Sequence, residues 1–362
     1  EATRIFYKAG GAAYRPGELF RQPDLAASLK LIAKEGADAF YKGEIARKIA
    51  ATMQAHDGLI SLEDLASYRA VEREPLRTSY RGDEVITMPP PSGGGISIVQ
   101  SLNILQHFDM KTFGARSADA THVLAETMKL VYADRTRHIG DPDFVTVPVA
   151  GLTSAGYADQ RAKQISLKRT LKPSEITPGA PVPADSPDTT HISIADAQGN
   201  IVSETTTLGS SYGSGAVIEG AGFLLNDQMK NFAMEAGGDA QALSTSPANA
   251  LAPGKRMMST MAPTIVLRGG KPWLVTGTPG GSTILNTILQ ILVNTIDHGM
   301  NVAEATHAPR IHQTWRGAMH MERAFSPDTI RILKERGHKI EFDDTMGSAQ
   351  SIVTQDGVFY GA

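Results

Sequence analysis

The chain has 362 residues, room for two ordinary domains or one large one, and with 41% hydrophobic and 20% charged residues it is not a disordered tail. A formal net charge of -3 argues against a polyanion such as nucleic acid as partner, and no apolar run reaches the roughly 18–20 residues of a membrane span. Cysteine is absent, which removes disulfides, thiolate metal sites and cysteine nucleophiles, while 35 glycines and 20 prolines point to many turns and close backbone approaches.

The stretch from Asp24 to Gly36 predicts a first helix with Leu25, Leu29 and Ile32 on one face, Asp24 as N-cap and Gly36 as stop. A second helix covers about 43–55, with Ile45, Ile49 and Met53 four apart, and Ser61-Leu62-Glu63-Asp64 comes next as a short capped turn. Glu84 to Met88 reads as a strand stopped by Pro89-Pro90-Pro91. Ser92-Gly93-Gly94-Gly95 then opens an apolar helix from Ile96 to Phe108, and a long helix runs from about Ala118 to Arg137. The glycine run invites a phosphate-loop reading. Neither Gly-Lys-Ser/Thr nor an acidic residue at dinucleotide spacing comes after it, so close packing of a helix start accounts for it better.

From Lys172 the texture changes: Pro173, Pro178, Pro181, Pro183 and Pro187 permit no regular helix or central strand. Directly after this linker, Asp188 to Ala195 alternates as a half-buried strand, 196–200 is turn chemistry, and Ile201 to Leu208 is a second strand. Pairing about Gln198 sets Ala195 against Ile201, Ser193 against Ser203 and Thr189 against Thr207, which brings two threonine hydroxyls together at the mouth of the hairpin. A second hairpin is predicted from Thr264-Ile265-Val266-Leu267 and Pro272 to Thr276. Gly277-Thr278-Pro279-Gly280-Gly281-Ser282 then leads from a strand into an apolar helix over 283–298, which puts glycine amides at a positive helix end. The tail predicts a helix from about Asp328 to Arg336 and strands around Ile340 and from Ser351 to Phe359.

Gly209-Ser210-Ser211-Tyr212-Gly213 satisfies Gly-x-Ser-x-Gly, but residues 214–222 are too glycine-rich for the helix that a nucleophile elbow needs, so Ser211 is read as part of a turn. The histidines around His307, His312 and His320 include no His-x-x-x-His pair on a helix, so no metal site is expected. The remaining constellation is a threonine at the start of a strand behind a proline-rich stretch. Within a chain such a hydroxyl is a weak nucleophile. If the bond between Asp188 and Thr189 is broken, the new α-amino group has a pKa of about 7.7–8.0 and can act as base for its own hydroxyl.

Asp188-Thr189-Thr190-His191, Thr205 to Leu208, Leu224 to Met229, Arg256 to Pro263 and Thr276 to Ser282 resemble successive motifs of the γ-glutamyltranspeptidase family. Met88 to Gly95, Tyr132-Ala133-Asp134-Arg135 and Gly140-Asp141-Pro142 are similar to its large-subunit sequence, so the resemblance runs in order along essentially the whole chain. It implies an N-terminal-nucleophile hydrolase of α+β class, a four-layer αββα sandwich cut autocatalytically between Asp188 and Thr189. Residues 1–188 would be the later part of the large subunit and 189–362 the small subunit, together one domain. By motif position Thr189 is the nucleophile, Thr207 its hydroxyl partner, and Gly280 and Gly281 the oxyanion hole. Gln228, Asn231, Ser259, Thr260 and Gly209 fall at donor-binding positions. The implied chemistry passes the γ-glutamyl group of glutathione or a related amide through a threonyl acyl-enzyme to water or an amine, with no cofactor or metal.

Three departures from the family pattern bear on this reading. Asn231 stands where transpeptidases usually place an aspartate that pairs with the donor's α-ammonium, and Gly209 where an asparagine is common; the neutral Asn231 fits the cephalosporin (glutaryl) acylases, whose acyl group has no α-amine. The family's precursors also have a longer front part, which bears the arginine for the donor carboxylate, so a truncated, non-catalytic interaction module is the reading of another class. Bacterial relatives are exported, which implies a periplasmic or extracellular protein, although Glu1 to Phe6 has no signal-peptide layout.

Overall fold

The computed structural model describes residues 2–176, 189–233 and 246–362; residues 177–188 of the proline-rich stretch, Asp188 among them, and 234–245 lie outside the described residues, while Pro173–Glu175 forms a short helical turn. The chain packs as two compact units, Glu1–Arg73 with Leu208–Asp227, and Glu74–Thr207 with Gln228–Ala362. Their boundary does not fall at residue 188: the second unit takes residues from both sides of Thr189.

The first unit is built on α1 (Pro23–Glu35) and α2 (Glu44–Ala55). Gln22, not Asp24, is the cap residue of α1, because Pro23 has the fixed φ suited to the first helical position; Asp24 sits in the first turn against the helix dipole. Gly36, at φ +72°, ends the helix as expected. The buried face is displaced from the predicted one. Leu29 is 56% exposed, while Ser28 turns inward and donates to the Ala221 carbonyl at 2.8 Å. Ile45 and Ile49 of α2 join Leu65, Ile218 and Ala221 in a small core. Ser61 and Asp64 form the reciprocal capping box at Leu62–Ser67.

The second unit contains a six-stranded antiparallel sheet ordered β1-β2-β5-β6-β10-β11. Its strands are β1 (Leu76–Tyr80), β2 (Asp83–Thr87), β5 (Thr264–Arg268), β6 (Lys271–Gly277), β10 (Gln350–Gln355) and β11 (Val358–Gly361). The stretch expected as one final strand is thus a hairpin, folded at Asp356 and Gly357, both with positive φ. Residues of one parity, Val85, Val266, Leu274 and Val353, face a core shared with α3 (Gly93–Leu105), α4 (Ala118–His138) and α5 (Ile284–Ile296). Each such side chain contributes about 1.5–3 kcal/mol by leaving water.

The other face of the sheet carries the hairpin of β3 (Thr190–Ala195) and β4 (Ile201–Thr206). Its register pairs Ala195 with Ile201, Ser193 with Ser203 and Thr190 with Thr206, as the turn chemistry predicts. Here polar residues face inward. Ser203 Oγ donates to the Thr276 carbonyl at 3.0 Å and accepts from the Thr264 amide at 3.1 Å, and Ser193 Oγ donates to the Gln350 carbonyl at 2.9 Å. Ile192, Ile194 and Val202 point away and are 44–49% exposed. A third sheet pairs β7 (Ile311–His312) antiparallel to β8 (Met319–Glu322) and β8 parallel to β9 (Ile340–Asp343); α6 (Pro327–Glu335) makes the crossover that a parallel pair requires. No helix among the described residues is long and apolar enough to cross a membrane.

Candidate active site

The hairpin register extends past its last ladder pair, so Thr189 and Thr207 lie opposite each other, and Thr189 Oγ1 donates to Thr207 Oγ1 at 3.3 Å. Both are half-buried. Two residues on, His191 is buried against the backbone of Gly277: a Cβ there would lie 2.1 Å from the imidazole, so only glycine lets β6 approach. Its ring nitrogens meet Thr205 Oγ1 at 2.8 Å and Ser193 Oγ at 3.1 Å, and burial pushes its pKa down to about 4. It is therefore neutral at pH 7, with both nitrogens turned to other hydroxyls.

Beyond Gly277 the chain runs through Thr278 and Pro279 to Gly280 and Gly281, both buried, and then into α5 through a short helical turn, Gly281–Thr283. Gly280 has φ +136°, a conformation closed to L side chains, and Gly281 has φ +52°. The Gly280 carbonyl accepts both the amide and the hydroxyl of Thr283, each at 2.9 Å, which fixes the orientation of the peptide at the start of the helix. Backbone amides so placed stabilise negative charge. Thr278 Oγ1 accepts from the Ser348 amide at 3.1 Å, tying the turn to the loop before β10.

The other expected positions form a third group. Gln228 and Asn231 are buried in one helical turn, where Asn231 Nδ2 donates to Gln228 Oε1 at 2.8 Å. Asn249, fully buried, joins this group to Ser259 and Thr260: its Nδ2 donates to the Asn231 carbonyl at 2.6 Å and its Oδ1 accepts from the Met258 amide at 2.9 Å. Sequence reading missed Asn249, which carries no local signal. Ser259 and Thr260, both buried, lie against the glycine run. The Gly93 amide donates to the Ser259 carbonyl at 2.9 Å, and a Cβ on Gly94 would lie 2.4 Å from the Thr260 carbonyl. Close packing is thus what the glycines serve: Gly94 lies on Thr260 and Met261, while a Cβ on Gly95 would lie 1.9 Å from the Met88 carbonyl. Gly140-Asp141-Pro142 works in the same way: Asp141 Oδ2 accepts from the Arg256 amide at 2.8 Å, and a Cβ on Gly140 would lie 2.3 Å from the Ala248 carbonyl.

Gly209 belongs to the first unit. It has φ +95°, and a Cβ there would lie 1.8 Å from Asp227 Oδ1, so an asparagine would not fit this conformation. Asp227 instead accepts from the Ser210 amide at 2.9 Å and the Ser210 hydroxyl at 2.6 Å. Ser211 lies in a turn with no helix after it, as its glycine-rich surroundings predict.

One cluster lay outside the histidines that the sequence singled out. His122, Glu126 and His338 are buried with potential ligand atoms within 4.8 Å of one another. The converging atoms are already hydrogen-bonded within the protein. His122 Nε2 donates to the Ser166 carbonyl at 2.7 Å, so its Nδ1 accepts from His338 Nε2 at 2.7 Å. Glu126 accepts from Lys129 at 2.8 Å, from Thr170 at 2.6 Å and from the Leu171 amide at 2.7 Å. The Lys129 ammonium takes the place of a cation there, and burial holds both histidines below their ordinary pKa.

The family model described as gamma-glutamyltranspeptidase matches residues 1–362. The chain belongs to this family. The glutathione hydrolase proenzyme of Escherichia coli (strain K12) is 50% identical to it over 361 residues, which is 99% of this chain and 62% of the relative. The acylase ACY 1 proenzyme of Pseudomonas sp. (strain SE83) is 41% identical over 98% of the chain and 61% of its own length. Among solved structures, cephalosporin acylase from Bacillus halodurans superposes with a TM-score of 0.87 at 32% identity, covering 99% of this chain and 63% of that one. This γ-glutamyltranspeptidase-family chain thus spans about three-fifths of the length of the relatives it matches.

Proposed function

We propose that the chain is the nucleophile-bearing part of a γ-glutamyl hydrolase and transferase whose reactive group is Thr189, freed as a new N-terminus by autocatalytic cleavage after Asp188. The observation that carries this reading is the Thr189–Thr207 hydroxyl pair, 3.3 Å apart, at the mouth of a hairpin packed on the strand that leads to Gly280 and Gly281. Its Oγ1 attacks the γ-amide carbonyl while the α-amino group takes the proton. The Gly280 and Gly281 amides hold the oxyanion, and collapse of the tetrahedral intermediate expels the amine, which takes that proton. Water or an acceptor amine then attacks the threonyl ester, and the Thr189 hydroxyl is regenerated. Gln228, Asn231, Ser259 and Thr260 hold the α-substituents of the donor; Gly209 is assigned to donor binding by motif position alone. Thr207 fixes the Oγ1 rotamer.

The αββα sandwich belongs to the same reading: α3–α5, the six-stranded sheet and the β3–β4 sheet supply three layers, and the exposed apolar face of Ile192, Ile194 and Val202 is where a second helical layer would sit. So do processing into fragments 1–188 and 189–362 and export to the periplasm or outside the cell. A second reading, hydrolysis of glutaryl amides, is favoured by the neutral Asn231, which can hydrogen-bond but supplies no charge to an α-ammonium.

Intact-mass analysis of wild type and Thr189→Ala tests the main reading. Two polypeptides divided before Thr189 are expected from the wild type and one uncut, inactive chain from the variant; normal cleavage in Thr189→Ala would overturn it. Comparing γ-glutamyl-p-nitroanilide with glutaryl-p-nitroanilide separates the two donors.

A further inference from the structure

The glycine turn is held from two sides. Thr283 fixes the Gly280 carbonyl, and from the other side the hydroxyl of Tyr132, in the middle of α4, donates to the carbonyl of Ser282, one residue after Gly281. Tyr132 is fully buried, and its ring is clamped: His312 lies edge-on at 5.8 Å between centroids, and the Arg135 guanidinium lies 5.3 Å from the ring centroid. His312 in turn accepts from Asn286 Nδ2 at 2.7 Å, one helical turn beyond Ser282 in α5. A phenol held in this way by rigid neighbours sets the height of the Ser282 peptide and with it the amide vectors of the two glycines before it.

We propose that Tyr132 is a positioning residue for the oxyanion turn, through its hydrogen bond to Ser282. The inference rests on the assignment of Gly280 and Gly281 under the proposed function. Tyr132 precedes Thr189 in the chain and Ser282 comes after it, so after cleavage one fragment sets the geometry of the other fragment's oxyanion site. This gives the buried Tyr132 of the Tyr132-Ala133-Asp134-Arg135 motif a task that its ring packing alone does not need.

Tyr132→Phe removes one oxygen and keeps the ring contacts. The test uses the full chain, with rates per Thr189 titrated by an acylating inhibitor, alongside Thr189→Ala. Loss of an oriented oxyanion turn should lower kcat for γ-glutamyl-p-nitroanilide roughly tenfold or more, since misplacement by a fraction of an ångström is enough. KM and the inhibition constant of free glutamate should stay within about twofold, because the ground state does not use the oxyanion contact. Thr283→Ala, which frees the Gly280 carbonyl from the other side, should show the same split. An inactive Thr189→Ala with parental kcat in Tyr132→Phe overturns this inference alone. Parallel losses in kcat, inhibitor affinity and melting temperature also overturn it, as the mark of a merely structural role. Turnover in Thr189→Ala would overturn the parent reading and this inference with it.

Discussion

Adding a single methyl group at Gly280 separates backbone strain from loss of an oxyanion donor. At φ +136° an alanine is strained by about 1–3 kcal/mol, and its Cβ would lie 2.4 Å from Thr283 Oγ1, the group that holds the Gly280 carbonyl. The turn must therefore rotate and carry its amides away from the developing oxyanion, a loss of about 2.7–4 kcal/mol in the transition state and ~100- to 1,000-fold in kcat. Gly299→Ala is the control. It lies just past α5 at φ +66° with no atom within 4 Å of a Cβ, so it should lose about 1–2 kcal/mol of stability and keep its kcat. Both variants are compared by thermal unfolding and by steady-state kinetics with γ-glutamyl-p-nitroanilide, per titrated Thr189. If Gly280→Ala retains kcat within tenfold of wild type while melting as low as Gly299→Ala, the turn is a structural element only and the oxyanion assignment is wrong.

Thr207→Val removes the partner of the Thr189 hydroxyl, a neutral hydrogen bond worth about 1 kcal/mol, so kcat should fall roughly fivefold or more with donor KM unchanged; an unaltered kcat would remove Thr207 from the reading. Asn231→Asp places a carboxylate beside Gln228, whose amide can turn to donate to it, and a charge-assisted bond to the donor's α-ammonium should raise kcat/KM for γ-glutamyl over glutaryl substrate by about 1.5–3 kcal/mol at best; no change in that ratio would mean that the amine is read elsewhere. Burial holds His191 near pKa 4 and His312 and His338 near 3, all below the ordinary value of about 6.5. The unfolded chain therefore takes up protons first, and stability present above pH 6.5 is lost as pH falls toward 3–4, by about 2 kcal/mol per histidine at pH 5. Thermal melts from pH 7.5 to 5 should show the midpoint dropping, less steeply in His338→Gln; a flat profile would contradict the buried neutral state.

Local rules carried the sequence furthest where partners are close along the chain. The turn at 196–200 pins the register of β3 and β4, and that register alone aligns Thr189 with Thr207. Helical periodicity located α2, α4 and α5 to within two residues, and the order of short motifs pointed to the family. What periodicity could not give was orientation. In α1 the inward position belongs to Ser28 rather than Leu29, because a carbonyl far along the chain, that of Ala221, is its partner. In β3–β4 the apolar residues face out and serines face in, because the second sheet offers strand backbone to bind.

The glycines show the same division. Their presence before α3 and α5 is plain in the sequence, but a glycine records only that something comes close, and the tertiary structure supplies what: the Thr260 carbonyl at Gly94, the His191 ring at Gly277, the Thr283 hydroxyl at Gly280. The amino-acid sequence by itself determined the hairpin, its paired threonines and the family. Only the fold decided that Asn249 ties the Asn231 turn to the Met258 backbone and that Tyr132 reaches Ser282, 150 residues away. Such contacts arise from packing between segments remote in the chain, and no local pattern encodes them.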